Sequence, residues 1–118
     1  MKGARKLMGQ LSLLAAAAFF LTMMPGLVRG APPQTTAEIY AHKCAVCHAK
    51  DGSAATAKGK QYKVKDVRVQ VKKYSEAEMI KVVQQGKGAN MDSFSDDLND
   101  AQIKAVVEYY RGLATAKK

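Results

Sequence analysis

The sequence predicts a small all-α domain behind an N-terminal export signal, and three observations carry that prediction. Helix starts are marked by capping residues at Thr35, Ser75 and Asn99, each with Glu or Gln three positions on. The one stretch with strand-like alternation has no second stretch to pair with. The first thirty residues are basic, then apolar, then broken by Pro25 and Gly26, the layout of a cleaved secretory signal peptide.

In that leader, Lys2, Arg5 and Lys6 form the basic region, and Leu11 to Met24 is apolar apart from Ser12 and Thr22. The run falls short of the roughly 20 residues that span a bilayer. It therefore reads first as a signal removed after Gly30, with a retained anchor as the alternative. No Cys lies near the cleavage point, which excludes a lipid-modified N-terminus, and Arg5-Lys6 is not a twin-Arg pair, which favours export as an unfolded chain. The domain assignment is a signal peptide over 1–30 and a mature domain over 31–118. A domain of that size buries only about 60–65% of its unfolded surface and needs help from a metal, disulfide or cofactor.

Composition narrows the kind of help. Lys and Arg total 19 against 10 Asp and Glu, a net charge of +9. Four of those bases, Lys2, Arg5, Lys6 and Arg29, lie in the leader without an opposing acid. Export also separates the mature chain from nucleic acid, so a nucleic-acid reading has little support. Aromatic residues make up 7% and Trp is absent, so a core built from side chains alone would be thin. Two cysteines exclude a disulfide-dense scaffold and any four-thiolate metal site.

Thr35 and Glu38 form a capping box that opens a helix through Ala37, Tyr40, Ala41 and Cys44. Residues 49–74 show no sustained helical period. Val67, Val69 and Val71 alternate with Arg68, Gln70 and Lys72 as a strand would, but a lone strand has no partner, so the stretch reads as loop or a short irregular helix. Ser75 with Glu78 opens a second helix with Met79, Ile80, Val82 and Val83 apolar, stopped near Gly86 and Gly88. Asn99 caps a third, with Gln102 at N3 and a Leu98–Ile103 staple. Its apolar face runs through Ile103, Val106, Val107, Tyr109 or Tyr110, and Leu113.

Both cysteines fall in one pentapeptide, Cys44-Ala45-Val46-Cys47-His48. This is the haem c attachment motif. Two thiols three positions apart on a helical turn reach the two vinyl groups on one porphyrin edge, and the adjacent imidazole offers a proximal axial ligand. The competing readings fare worse. A thioredoxin-like pair belongs beside a βαβ unit that this chain does not build. A zinc site from His42, Cys44, Cys47 and His48 would crowd four ligands into seven residues. A disulfide across so short a loop contributes little.

With that motif in place, the mature chain resembles a class I monohaem c-type cytochrome over most of residues 35–115. The resemblance implies a cytochrome c-like fold: three or more helices wrapped around one covalently bound haem c, with the first and last helices crossing near Tyr40 and Tyr109. It also implies an axial Met in a loop near the C-terminus, which matches Met91. The mature chain holds two methionines. Met91 follows the flexible run Gly86-Lys87-Gly88-Ala89-Asn90, whereas Met79 sits at an apolar helix position where core packing is the default. The distal candidates are thus Met91 first, then Met79, then His42, water or an open site. The chain departs from the family pattern in having Asp92 where Pro often follows the Met, no Pro after Pro33, and Thr36 where a small residue is common.

A thioether opposite an imidazole favours Fe(II) and fills both axial positions. The expected function is therefore a periplasmic one-electron carrier and not an enzyme, a monomer with no membrane span once the signal is removed. Nine bases lie between Lys58 and Lys87, opposed only by Asp66, Glu76 and Glu78, and they point to redox protein partners with an acidic docking surface. Two alternatives stay open: a haem enzyme or gas sensor with a labile or open distal site, and a small cytochrome subunit of a larger redox complex.

Overall fold

The computed structural model describes residues 34–117. The signal peptide and the boundary after Gly30 lie outside the described residues.

The first helical run has three parts: α1 (Thr36–Ile39), a π-helical turn (Tyr40–Cys44) and α2 (Ala45–His48). The Thr35–Glu38 capping box forms as expected, with the Thr35 N–H and hydroxyl both donating to the Glu38 carboxylate at 2.7 and 2.9 Å. The Ala45 N–H reaches back five residues to the Tyr40 carbonyl. That extra residue in the turn sets Tyr40 and Ala45, both buried, on one hydrogen-bonded rung. No sequence pattern announced it.

Residues 49–74 hold two short helices, α3 (Ala57–Gln61) and α4 (Val67–Lys73). Thr56 caps the first by accepting the Gly59 N–H, and Asp66 caps the second by accepting the Arg68 N–H, each at 2.8 Å. The Val67–Val71 stretch is thus a regular short helix. Only Val67 is fully buried, while Val69 is 53% exposed, so the alternation in sequence never meets a second strand. The Val67 N–H donates to the Gly52 carbonyl at 2.8 Å and ties α4 to the loop after α2.

The second and third expected helices are α5 (Glu76–Gln85) and α6 (Asp100–Gly112), opened by the Ser75–Glu78 and Asn99–Gln102 capping boxes. Gly86 ends α5 at φ +76°, a conformation that glycine adopts without strain. A single 3₁₀ turn (Gly88–Asn90) follows. The long α6 packs against α1, α4, α5 and the π-helical turn. Its buried stripe of Ile103, Val106 and Val107 contributes to the core with Ile39, Tyr40, Ala45 and Leu98. Leu98 and Ile103, the expected staple, belong to one buried cluster. Among the described residues there is no strand, and no helix is long and apolar enough to cross a membrane.

Candidate functional site

Cys44, Cys47 and His48 sit at the end of the first helical run, spanning the junction of the π-helical turn and α2. Both thiols are free and partly exposed. Cys44 packs against the core cluster, and burial pushes its thiol up to about 11, opposed by Lys43 and reinforced by Cys47. The Cys44 thiol is therefore neutral at neutral pH.

The His48 ring is held edge-on to Tyr110, with centroids 5.0 Å apart. Burial lowers the imidazole below its usual pKa, so it is neutral and offers a lone pair at neutral pH. Among the described residues, two buried side-chain atoms have no hydrogen-bond partner, His48 Nδ1 and the Tyr110 hydroxyl. They belong to these two touching rings. Burial raises the Tyr110 phenol to about 12, with Asp66 adding to the shift.

The loop after His48 is fixed from two sides. Tyr40, 2% exposed, donates its hydroxyl to the Ala49 carbonyl at 2.8 Å. The Thr56 hydroxyl donates to the Val46 carbonyl at 2.8 Å. Gly59 packs so closely that a Cβ there would meet the carbonyl oxygens of Cys47 and Ala54. The backbone of the pentapeptide is thereby clamped against α3.

Met91 lies on a different segment, half-buried after the 3₁₀ turn, and its carbonyl accepts the Lys87 N–H at 2.7 Å. Phe94, three residues on, packs on the same core cluster as Cys44. Met79 is buried in α5, and its sulfur receives the Arg111 guanidinium at 3.7 Å. Arg111 also donates to the Tyr74 carbonyl at 3.1 Å. His42 is exposed. Among the described residues no three His, Cys, Asp or Glu side chains converge as a metal cluster.

The rings of Tyr40 and Tyr109 lie 5.1 Å apart where α1 and α6 pack, the crossing the resemblance implied. Sequence reasoning left Tyr109 and Tyr110 as alternatives on this face. Tyr110 is the ring beside His48, and Tyr109 remains 37% exposed. Arg111 on the Met79 sulfur, and Thr56 with Gly59 behind the pentapeptide, were not read from sequence. Their partners are brought together only by tertiary packing.

Two thiols three residues apart on one turn suit the two vinyl groups of a haem, and the adjacent imidazole, neutral through burial, is a donor that haem iron takes. The core is correspondingly thin, since Ile103 and Val67 are its largest fully buried side chains. These residues fit the group, and fold and site together define a monohaem c-type cytochrome with covalently bound haem c.

The chain belongs to the family described as cytochrome c oxidase, cbb3-type, subunit III, whose model matches residues 31–109. A solved structure, the KustC0563 c-type cytochrome, is similar in fold at a TM-score of 0.62. It is 24% identical, and the match covers 68% of this chain and 98% of that one. No curated protein matches. Haem-based electron transfer is the chemistry that family membership brings.

Proposed function

We propose that this chain is an exported one-electron carrier, its haem c attached through Cys44 and Cys47 and ligated by His48 and Met91. The observation that carries the choice of Met91 is the engagement of its rival. The Met79 sulfur is buried under the Arg111 guanidinium, while Met91 lies half-buried in a loop. The bound haem supplies one reversible electron, exchanged at its edge. The chain's own part is to hold two thioethers on one helical turn, keep His48 neutral by burial, and bring a second neutral ligand on the 86–95 segment. Were His48 and Met91 both to hold the iron, no position would be open to a substrate and transfer would be outer-sphere.

The basic leader and apolar run of residues 1–30 support export to a bacterial periplasm with removal of the leader. Docking to an acidic partner is supported by the nine bases between Lys58 and Lys87, opposed only by Asp66, Glu76 and Glu78. The Lys73 and Lys87 ammonium groups each lie 5.3 Å from the Tyr74 ring. Both hold its phenol below the ordinary range, through hydrogen bonding and charge. Electron transfer to such a partner falls steeply with salt; a flat salt dependence rejects the docking surface.

The family description names an oxidase subunit, which supports a second reading, a subunit of a larger redox complex. A chain of that kind purifies with its partner, while the carrier elutes alone as a monomer. The first experiment is the oxidised absorption spectrum of holoprotein made with haem-attachment machinery, beside Met91→Ala. The weak long-wavelength sulfur-to-iron band is expected in the wild type and lost in the variant. A band that survives Met91→Ala, or is missing from the wild type, overturns the Met91 assignment. Rapid carbon monoxide binding by the reduced wild type would favour an open distal site.

A further inference from the structure

The segment that carries Met91 is fastened to the end of α5 by side chains with no role in the chemistry above. A helix leaves its last carbonyls without intrahelical donors. At α5 the Gln84 carbonyl accepts the Ser93 hydroxyl and, at 2.7 Å, the Ser95 hydroxyl. Both lone pairs of one oxygen are thus used by two residues of the same loop. Between them the Phe94 N–H donates to the Val83 carbonyl at 2.9 Å. The loop is closed on its other side by Lys87 N–H to the Met91 carbonyl at 2.7 Å.

Gly86 lets the segment return close to the end of α5. A Cβ there would approach the Met91 carbonyl oxygen at 2.8 Å and the Ser93 nitrogen at 2.9 Å, so only glycine lets the segment fold back so closely. Gly86 and Gly88 both have positive φ, and glycine adopts many other conformations as readily. Two backbone bonds hold the loop, Phe94 N–H to the Val83 carbonyl and Lys87 N–H to the Met91 carbonyl, and the serine side chains add to them. The serine hydroxyls fix it from one side, two and four residues beyond Met91.

We infer that Ser93 and Ser95 are positioning residues for Met91, latching its loop to the Gln84 carbonyl so that the thioether stays in place. The inference rests on the reading of Met91 as distal ligand. A loop released from Gln84 opens more often, and each opening admits an external ligand in place of Met91.

The test compares holoprotein of the wild type, the double variant Ser93→Ala/Ser95→Ala, the double variant Ser93→Thr/Ser95→Thr, and Met91→Ala. Three readouts are taken: amide hydrogen exchange at Lys87 and Phe94, the sulfur-to-iron band, and the rate at which added imidazole binds the oxidised protein. Exchange and imidazole binding are each expected to speed up about tenfold in the alanine pair, equivalent to about 1.4 kcal/mol, with a weakened band. The threonine pair, which keeps both hydroxyls, is expected within about twofold of wild type. Unchanged amide exchange in the alanine pair overturns the latch. Faster exchange with the band and imidazole rate unchanged overturns the positioning role while leaving Met91 as ligand. A wild type without a band that Met91→Ala removes overturns the Met91 reading and the positioning role with it, and the exchange data still report the latch separately.

Discussion

Gly59 is where the smallest substitution should do the most damage. It sits in the middle of α3, and a Cβ there would run into the carbonyl oxygens of Cys47 and Ala54, with the Thr56 hydroxyl at 3.0 Å. Two of these three neighbours are backbone and cannot rotate away. Overpacking costs about 1–3 kcal/mol, and the upper end applies where backbone must move. The helix preference of Ala over Gly returns about 1 kcal/mol, so Gly59→Ala should cost about 2 kcal/mol net. In a domain of this size that lowers the melting temperature by about 8–16 °C. Gly112→Ala is the matched control, because nothing lies within 4 Å of a Cβ placed there. It should be neutral or stabilising by up to about 1 kcal/mol. Thermal unfolding of both holoproteins, followed by far-ultraviolet circular dichroism, decides the matter. Gly59→Ala melting within about 2 °C of wild type, or Gly112→Ala falling as far as Gly59→Ala, would refute the clamp between α3 and the haem-attachment segment.

Tyr40→Phe removes the hydroxyl on Ala49 O, but that carbonyl keeps a second donor in the Gly52 N–H at 3.2 Å. The loss should therefore be about 1 kcal/mol, read as a fall of a few degrees in the same melting experiment; no change would mean the Tyr40 bond contributes nothing. Glu38 and Glu78 are held below the usual carboxylate value of 4.5, chiefly by the backbone N–H groups of Thr35 and Ser75 and then by their hydroxyls. Because the folded pKa is the lower one, their stabilisation is complete above 4.5 and is lost as pH falls below it. Replacing both by Gln should flatten the acid limb of stability against pH, and an unchanged limb counts against the two boxes. Ile103→Ala, at a fully buried position, should cost about 2–5 kcal/mol in denaturant unfolding; a cost under about 1 kcal/mol would show that α6 does not anchor the core.

What was legible in the sequence was whatever is decided within one turn of chain. Capping boxes at Thr35, Ser75 and Asn99 are local hydrogen-bond exchanges, and all three form. The C-x-x-C-H pentapeptide is likewise local chemistry. The short helices were harder for definite reasons. The only buried residue in α3 is Gly59, which offers no apolar stripe for a period to reveal. In α4 the three valines alternate, yet only the first is buried, so the helix is set by the Asp66 cap and by Val67 against Gly52, not by its pattern. The π-helical turn is a choice of hydrogen-bond register, invisible to composition. Tyr109 and Tyr110 are neighbours at the edge of one stripe, and periodicity does not separate them; the position of His48 does. Arg111 and Met79 are far apart in sequence, and nothing local links them.

The distribution of burial bears on how far this chain stands without its haem. The buried cluster lies where α1, the π-helical turn and α6 meet, around Ile39, Tyr40, Leu98 and Ile103. Cys44, Ile80, Val83, Phe94, Tyr110 and Leu113 pack on it but stay partly exposed. Phe94, Tyr110, Ile80 and Leu113 among them are large, and Tyr110 carries a buried hydroxyl without a partner. Apolar surface left to water forgoes about 25 cal/mol per Å², and a domain of this size has little stability to spare. A covalently held apolar group that covers such side chains only in the native fold stabilises that fold alone. Chain expressed without attachment machinery should therefore keep some helix from its three capping boxes but lose the single sharp transition of the holoprotein. Near-ultraviolet and far-ultraviolet circular dichroism on heating will show it. An apoprotein that unfolds as cooperatively as the holoprotein, within a few degrees of it, would mean the Ile39–Ile103 cluster suffices and the partly exposed rim has no structural need of the haem.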